Sequence, residues 1–157
     1  MEGVRSHHAS EAGSCLYCDV VAKERKARQR IVAEDERFVA LAPYAARFPF
    51  ETWILRKDHA SAFESIPDSY RLLLARFLKD TWGRMDQILE DPSFNCYIHT
   101  APRGDDGVSY HLHLEITPHL MKTAGFERGS GFYINPVVPE DAAAILRGEV
   151  RWSEQAH

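Results

Sequence analysis

The chain has 157 residues, a length typical of one domain, and its 45% hydrophobic and 27% charged content supports a conventional buried core without disulfide staples. Nineteen Lys and Arg against 23 Asp and Glu leave a formal charge of -4, which argues against coating nucleic acid or anionic lipid. The longest apolar runs are far shorter than the roughly 20 residues that span a bilayer, and residues 1–13 carry no hydrophobic signal core. The sequence predicts a cytoplasmic protein with no nucleic-acid or membrane partner.

Residues 1–13 are small, polar and aperiodic, so they read as a flexible tail carrying solvated His7 and His8. A single domain is expected over 14–150, with a second tail at 151–157. Three cysteines cannot form a fully paired disulfide framework, and two of them stand as Cys15-Leu-Tyr-Cys18 at the head of the folded part, which favours metal or redox use. The basic run Lys23–Arg30 suits a solvated helix face or loop, with phosphate binding as the sharper alternative. Phe38–Ala42 and Phe50–Leu55 are short apolar strands joined by a Pro-bounded connection, so they should pair antiparallel.

Ser65-Ile-Pro-Asp68 resembles a capping box opening a long helix over residues 65–90. Tyr70, Leu73, Leu74, Phe77, Leu78, Trp82, Met85 and Leu89 recur at spacings of three and four and give that helix one broad core stripe. Asp91-Pro92 ends it, and Phe94–Thr100 reads as a third strand with Cys96 as a small buried residue. A polar turn at Arg103–Gly107 leads into Ser109–Thr117, which alternates strictly. Gly125–Gly131 reads as a loop, Phe132–Asn135 as a short strand, and Pro139–Arg147 as a short helix with Pro and acids at its start. Strands grouped around one long helix predict an α+β fold with an antiparallel sheet of about five strands.

Side chains alternate along a strand, so His111, His113 and Glu115 share one face while Leu112, Leu114 and Ile116 share the other. The leucine face belongs to the core, which leaves two imidazoles and a carboxylate in a row on the open side. Imidazole is largely neutral at pH 7 and can attack phosphorus or act as a general base. The same row can hold a metal: Cys15 and Cys18 supply two soft thiolates at a spacing that fits one tetrahedral zinc, and His59 and His111 are the candidate third and fourth ligands. The redox alternative needs the CxxC at a helix start in a thioredoxin-like βαβ unit, a context that this position does not offer.

Tyr110-His-Leu-His-Leu-Glu-Ile-Thr-Pro118 resembles the His-x-His-x-His-x-x-Pro signature of the histidine-triad (HIT) superfamily. The order CxxC, APYAARFPFETWILRKDH, long helix, FNCYIHTAP, histidine strand and KTAGFERGSGFYINPVVPEDAA is similar to the C-terminal half of galactose-1-phosphate uridylyltransferases and related sugar-nucleotide phosphorylases, over roughly Cys15 to Arg147. The resemblance implies a HIT-like fold, a nucleotidyl-histidine intermediate on His113, and a Zn2+ site of Cys15, Cys18, His59 and His111. It further implies substrate contacts from Asn95, Ser109, Glu115, Lys122, Glu127, Tyr133 and Asn135, a nucleotide sugar or other small nucleotide as ligand, and a homodimer. A local pocket of backbone N–H groups, His113 and either Lys57 or Arg103 could hold two phosphates despite the acidic balance.

Glu115 departs from the pattern, standing where the superfamily has its third histidine or the uridylyltransferases a glutamine. The His-Pro-His-x-Gln motif of the catalytic repeat is absent, and this chain carries one repeat of the other kind. Two functions follow. One is a HIT-type nucleotidyltransferase or nucleotide hydrolase; the other is a non-catalytic, zinc-stabilised nucleotide-sugar-binding module, or the partner of a separate catalytic HIT chain.

Overall fold

The computed structural model describes residues 14–103, 107–108 and 110–152. The tail at 1–13, residues 153–157, part of the expected polar turn (104–106) and the candidate contact Ser109 lie outside the described residues. The described chain runs α1 (Leu16–Ala27), β1 (Ile31–Glu34), β2 (Phe38–Leu41), β3 (Thr52–Arg56), a 3-10 turn (Phe63–Ser65), α2 (Asp68–Leu89), β4 (Phe94–His99), β5 (His113–Pro118), α3 (Gly125–Ser130) and α4 (Pro139–Leu146). The strands form one sheet in the order β1-β2-β3-β5-β4, and every neighbouring pair is antiparallel. This is the α+β, five-stranded antiparallel architecture that the sequence predicts.

The sheet is buried on both faces at its centre. On one face Phe38, Ala40, Ile54, Leu114 and Ile116 pack against Leu74, Phe77, Met85 and Leu89 of α2 and against Ala142, Ala143, Ile145 and Leu146 of α4. Full burial of a side chain the size of Phe38 or Ile54 stabilises the fold by about 1.5–3 kcal/mol. On the opposite face Val39, Leu41 and Leu55 meet Val21, with Tyr17, Val20 and Trp53 partly buried beside them. The apolar residues of α1 thus roof the face on which His113 and Glu115 lie.

Several local expectations are corrected. Five strands are present, but β1 takes the place of Phe132–Asn135, which forms no strand, and Gly125–Ser130 is a short helix rather than a loop. Ile31–Glu34 is only four residues, too short for alternation to be read. The helix starts at Asp68 behind Pro67, and the Ser65 hydroxyl donates to the Ala62 carbonyl (2.7 Å) instead of capping it. Cys96 is exposed, because β4 is the terminal strand of the sheet. Leu73 and Trp82 are also exposed, since the stripe on α2 is wider than the surface it covers. At the far end of α2, Glu90 and Asp91 adopt φ of 58° and 59°, and Pro92 prevents the helix from continuing.

Candidate functional site

Cys15 is the N-cap residue of α1 and Cys18 lies in its first turn. The CxxC opens a helix, but among the described residues every strand pair is antiparallel and there is no thioredoxin-like βαβ unit around it. His59 follows β3 by three residues, and His111 sits two residues before β5 begins, whereas the sequence placed it inside the strand. One ligand atom from each of Cys15, Cys18, His59 and His111 lies within 4.8 Å of all the others.

The orientation of the two imidazoles suits metal ligation. His111 Nδ1 approaches Cys18 Sγ at 3.4 Å and Cys15 Sγ at 3.8 Å, and His59 Nδ1 lies 3.4 Å from Cys18 Sγ. Their other nitrogens face backbone carbonyls: His111 Nε2 that of Arg56 (3.1 Å) and His59 Nε2 that of Gly107 (2.8 Å). An Nε2–H donated to each carbonyl fixes the tautomer and leaves an Nδ1 lone pair aimed at the thiols, the arrangement typical of ligating histidines. Burial, followed by the charge of Cys15, pushes the Cys18 thiol up to about 12, and burial with the neighbouring His59 brings His111 down to about 4. Both shifts describe the metal-free cluster, in which thiolate and imidazolium are disfavoured.

His113 is the second feature. The expected open face is closed: His113 is buried beneath Tyr17 of α1 and beside His99, and Glu115 is buried between Arg47 and His99. Tyr17 lies against the His113 ring with centroids 4.4 Å apart, and His99 stacks on it at 4.5 Å with an interplanar angle of 13°. His113 Nδ1 lies 2.9 Å from the His111 carbonyl, which requires Nδ1–H to donate and leaves the Nε2 lone pair unprotonated. Among the described residues Nε2 has no hydrogen-bond partner. Burial lowers the pKa of His113 to about 4, so the ring is neutral at pH 7. Tyr17 is pushed up to about 12, first by burial and then by the charges of Tyr110, Glu115 and Cys15.

His113 lines a cavity of about 390 Å3 together with Tyr17, Trp53, Tyr110, Arg47 and Glu115. A larger groove of about 810 Å3 adjoins it and contains Asn95, Glu115, Lys122 and Tyr133. Glu115 is held on two sides: Arg47 Nη2 donates to Oε1, and His99 Nε2 lies 3.1 Å from Oε2. The carboxylate that departs from the superfamily pattern is therefore paired.

Asn95 Nδ2 also lies 2.9 Å from His119 Nε2. Glu127 and Asn135 line neither cavity. Glu127 accepts from the backbone N–H groups of Ala124 (2.7 Å) and Ile134 (3.3 Å), and Asn135 donates to the Ala46 and Phe48 carbonyls (both 3.2 Å). The two shape the loop that presents Tyr133. Lys57 pairs with Glu34 at 2.9 Å away from both cavities, and Arg103 lines neither. The cation that lines both cavities is Arg47, which lies in the Pro-bounded connection between β2 and β3. His99, directly opposite His113 in the β4–β5 register, carries no local sequence signal beyond that of a strand residue.

The comparisons with known proteins agree with this architecture. Residues 2–147 match the family described as galactose-1-phosphate uridyl transferase, C-terminal domain. An ADP-glucose phosphorylase from Arabidopsis thaliana is 38% identical over 150 residues, which cover 94% of this chain and 41% of that protein. A galactose-1-phosphate uridylyltransferase from Thermotoga maritima is 34% identical over 146 residues, 87% of this chain and 45% of that protein. The chain thus spans less than half the length of these curated relatives. Among solved structures, the Arabidopsis ADP-glucose phosphorylase with bound ADP-glucose superimposes with a TM-score of 0.82 over 96% of this chain and 47% of its own, at 38% identity. A zinc-bound histidine-triad family protein from Mycobacterium smegmatis shares the fold at a TM-score of 0.60 and 18% identity, over 86% of this chain and 91% of its own. The chain belongs to the galactose-1-phosphate uridyl transferase C-terminal domain family.

Proposed function

We propose that this chain is a HIT-type nucleotidyltransferase that takes a nucleotidyl group from a nucleoside diphosphate sugar onto His113. The observation that carries the reading is the state of His113: neutral, its Nδ1–H spent on the His111 carbonyl, and its Nε2 beside a cavity and without a partner among the described residues. In the first step Nε2 attacks the α-phosphorus, a P–N bond forms, and the P–O bond to the departing sugar phosphate breaks with its electron pair leaving on oxygen. In the second an oxygen of inorganic phosphate, a sugar phosphate or water attacks phosphorus and the P–N bond breaks, which restores neutral His113. Two easier displacements replace one hard one. The relatives' names supply the substrate class: ADP-glucose for one, a galactose-1-phosphate uridylyl group for others. Lys122 and Tyr133 are the sugar-side contacts, with Glu127 and Asn135 contributing through the loop they brace; Asn95 and Ser109 are assigned to the phosphates, and Glu115 is a further substrate contact.

We assign Zn2+ to Cys15, Cys18, His59 and His111. Tetrahedral zinc, with bonds of about 2.3 Å to sulfur and about 2.0 Å to nitrogen, has S···N edges of about 3.5 Å. The observed separations of 3.4, 3.4 and 3.8 Å fit those edges. Bound there, the ion would cross-link the start of α1 to the segments that follow β3 and enter β5, and so would help hold Tyr17 and His113 in register.

The domain is taken as 14–150, cytoplasmic, and paired as a homodimer. A second reading is a nucleotide-sugar-binding module that works beside a separate catalytic HIT chain; Glu115 at the third position of the histidine row and the absence of a His-Pro-His-x-Gln motif favour it. The test is turnover of UDP-glucose and ADP-glucose by the isolated protein against turnover after a second HIT chain is added. Activity in isolation supports the first reading, and binding without turnover supports the second.

A further inference from the structure

The two cavities have three residues in common: Arg47, His99 and Glu115. Together they form the partition between His113 and the larger groove, so a ligand that reaches from one space to the other passes them. Building on the nucleotide-sugar reading, we propose that Arg47 is the phosphate-binding side chain of this site and that Glu115 is its placeholder anion, giving Arg47 up when a diphosphate enters.

Charge makes the case first. Among the described residues around the His113 cavity, the carboxylates are Glu51 and Glu115, and the one permanently charged cation is Arg47. An attacked phosphoryl group brings further negative charge into this space, and Coulomb repulsion in a partly buried cavity is stronger than in water. Arg47 is the group able to balance it. Left bound to Glu115, it cannot serve both anions with the same N–H groups.

Geometry supplies the means. Among the described residues, the hydrogen bond of the Arg47 guanidinium is the one from Nη2 to Glu115, while Nε has the Glu51 carboxylate at 3.8 Å. A guanidinium carries five donors in a planar fork suited to two phosphate oxygens. Most of that fork is uncommitted. The base of the side chain, by contrast, is fixed: the backbone N–H groups of Arg47 and Phe48 both donate to the buried Glu51 carboxylate, at 2.7 and 3.3 Å. The guanidinium also lies over the Phe48 and Tyr133 rings, 5.6 and 5.9 Å from their centroids. With an anchored backbone and two aromatic rings to slide against, the half-exposed head can turn from Glu115 toward a ligand without displacing the loop. Glu115 then keeps His99 as its partner, at 3.1 Å. A phosphate has more charge and more acceptor oxygens than the carboxylate it replaces, so the exchange favours diphosphates over neutral ligands.

The experiment is calorimetric titration of the metal-loaded full chain with ADP, UDP, adenosine and inorganic pyrophosphate, on wild type, Arg47→Ala, Arg47→Lys and Glu115→Gln, with circular dichroism melts to establish folding. The expected result is a loss of about tenfold or more in ADP or UDP affinity for Arg47→Ala, partial recovery in Arg47→Lys, and no change for adenosine. Glu115→Gln should bind ADP or UDP several-fold more tightly than wild type, since the competing anion is gone. Nucleotide binding that is indifferent to Arg47, or no gain in Glu115→Gln, overturns the proposal and leaves the nucleotide reading standing. Arg47-dependent pyrophosphate binding without any nucleotide binding upholds the phosphate site and overturns the nucleotide reading. No binding of any of the four probes overturns both.

Discussion

His99 and His113 face each other across the β4–β5 ladder, their rings stacked at 4.5 Å and 13°. With Tyr17 also against His113, at 4.4 Å, the imidazole has lost its rotational freedom before any ligand arrives. Fixing a nucleophile in this way lowers the orientation cost of attack. His99→Ala should therefore lower the rate of nucleotidyl transfer more than it weakens nucleotide affinity. Single-turnover rates and equilibrium Kd on the same variant separate the two effects; a variant that loses affinity alone contradicts the positioning role.

A metal held by Cys15, Cys18, His59 and His111 would couple to folding. A site that assembles from α1, the segment after β3 and the entry to β5 exists only in the folded chain, so metal binding free energy becomes folding free energy. We expect one zinc per chain by elemental analysis, lost in Cys18→Ser, and a markedly lower Tm after chelation. Metal-free protein of unchanged Tm contradicts the assignment.

The acid limb of stability should carry a signature of His113. Its pKa is lowered to about 4 in the folded chain from the ordinary imidazole value of 6.5, because burial disfavours the imidazolium. Between these values the unfolded chain binds more protons than the folded one, so stability is intact above about pH 6.5 and falls as pH drops toward 4. The loss from this residue is on the order of 3 kcal/mol. His113→Asn, compared with wild type in chelator by urea denaturation, should flatten this part of the profile. Equal slopes in the two proteins contradict it.

At the sheet centre, Ile54 and Leu114 are paired across β3 and β5 and buried against α2 and α4. Leu114→Ala should cost about 2–5 kcal/mol in urea unfolding, through lost apolar transfer plus the cavity left behind. Leu72→Ala, at an exposed position on α2, should change stability by less than about 0.5 kcal/mol. Similar costs for the two variants contradict the assigned core.

The proposed homodimer has a natural seat. Among the described residues β4 pairs with β5 alone, and Asn95 to Ile98 are exposed along it with no proline or lysine to blunt the edge. Ile98→Lys should shift sedimentation from dimer to monomer. A wild-type monomer, or a dimer unmoved by the substitution, contradicts pairing through this edge.

The legible parts of the sequence were those where one period or one spacing dominates. Alternation from Leu112 to Thr117 identifies β5 and puts Leu114 and Ile116 in the core, and the CxxC spacing with His59 and His111 anticipates a cluster that does converge. The reading of the histidine face as open failed because an alternating strand cannot reveal a second layer. That layer is α1, whose Tyr17 sits between the two cysteines and whose charged run KERKA masks its apolar side. Arg47 and His99 were missed for a different reason. Their importance comes from long-range neighbours, Glu115 at a separation of 68 residues and His113 across a strand pair, and no local pattern encodes such a meeting.

The central claim is a nucleotidyl bond on His113. The most direct measurement is trapping: metal-loaded protein is incubated with UDP-glucose or ADP-glucose radiolabelled at the α-phosphate, quenched, digested and mapped by mass spectrometry. The account predicts an acid-labile phosphoramidate on His113 and none in His113→Asn. Absence of label from the wild-type chain with both sugar nucleotides, or label on another residue, contradicts it.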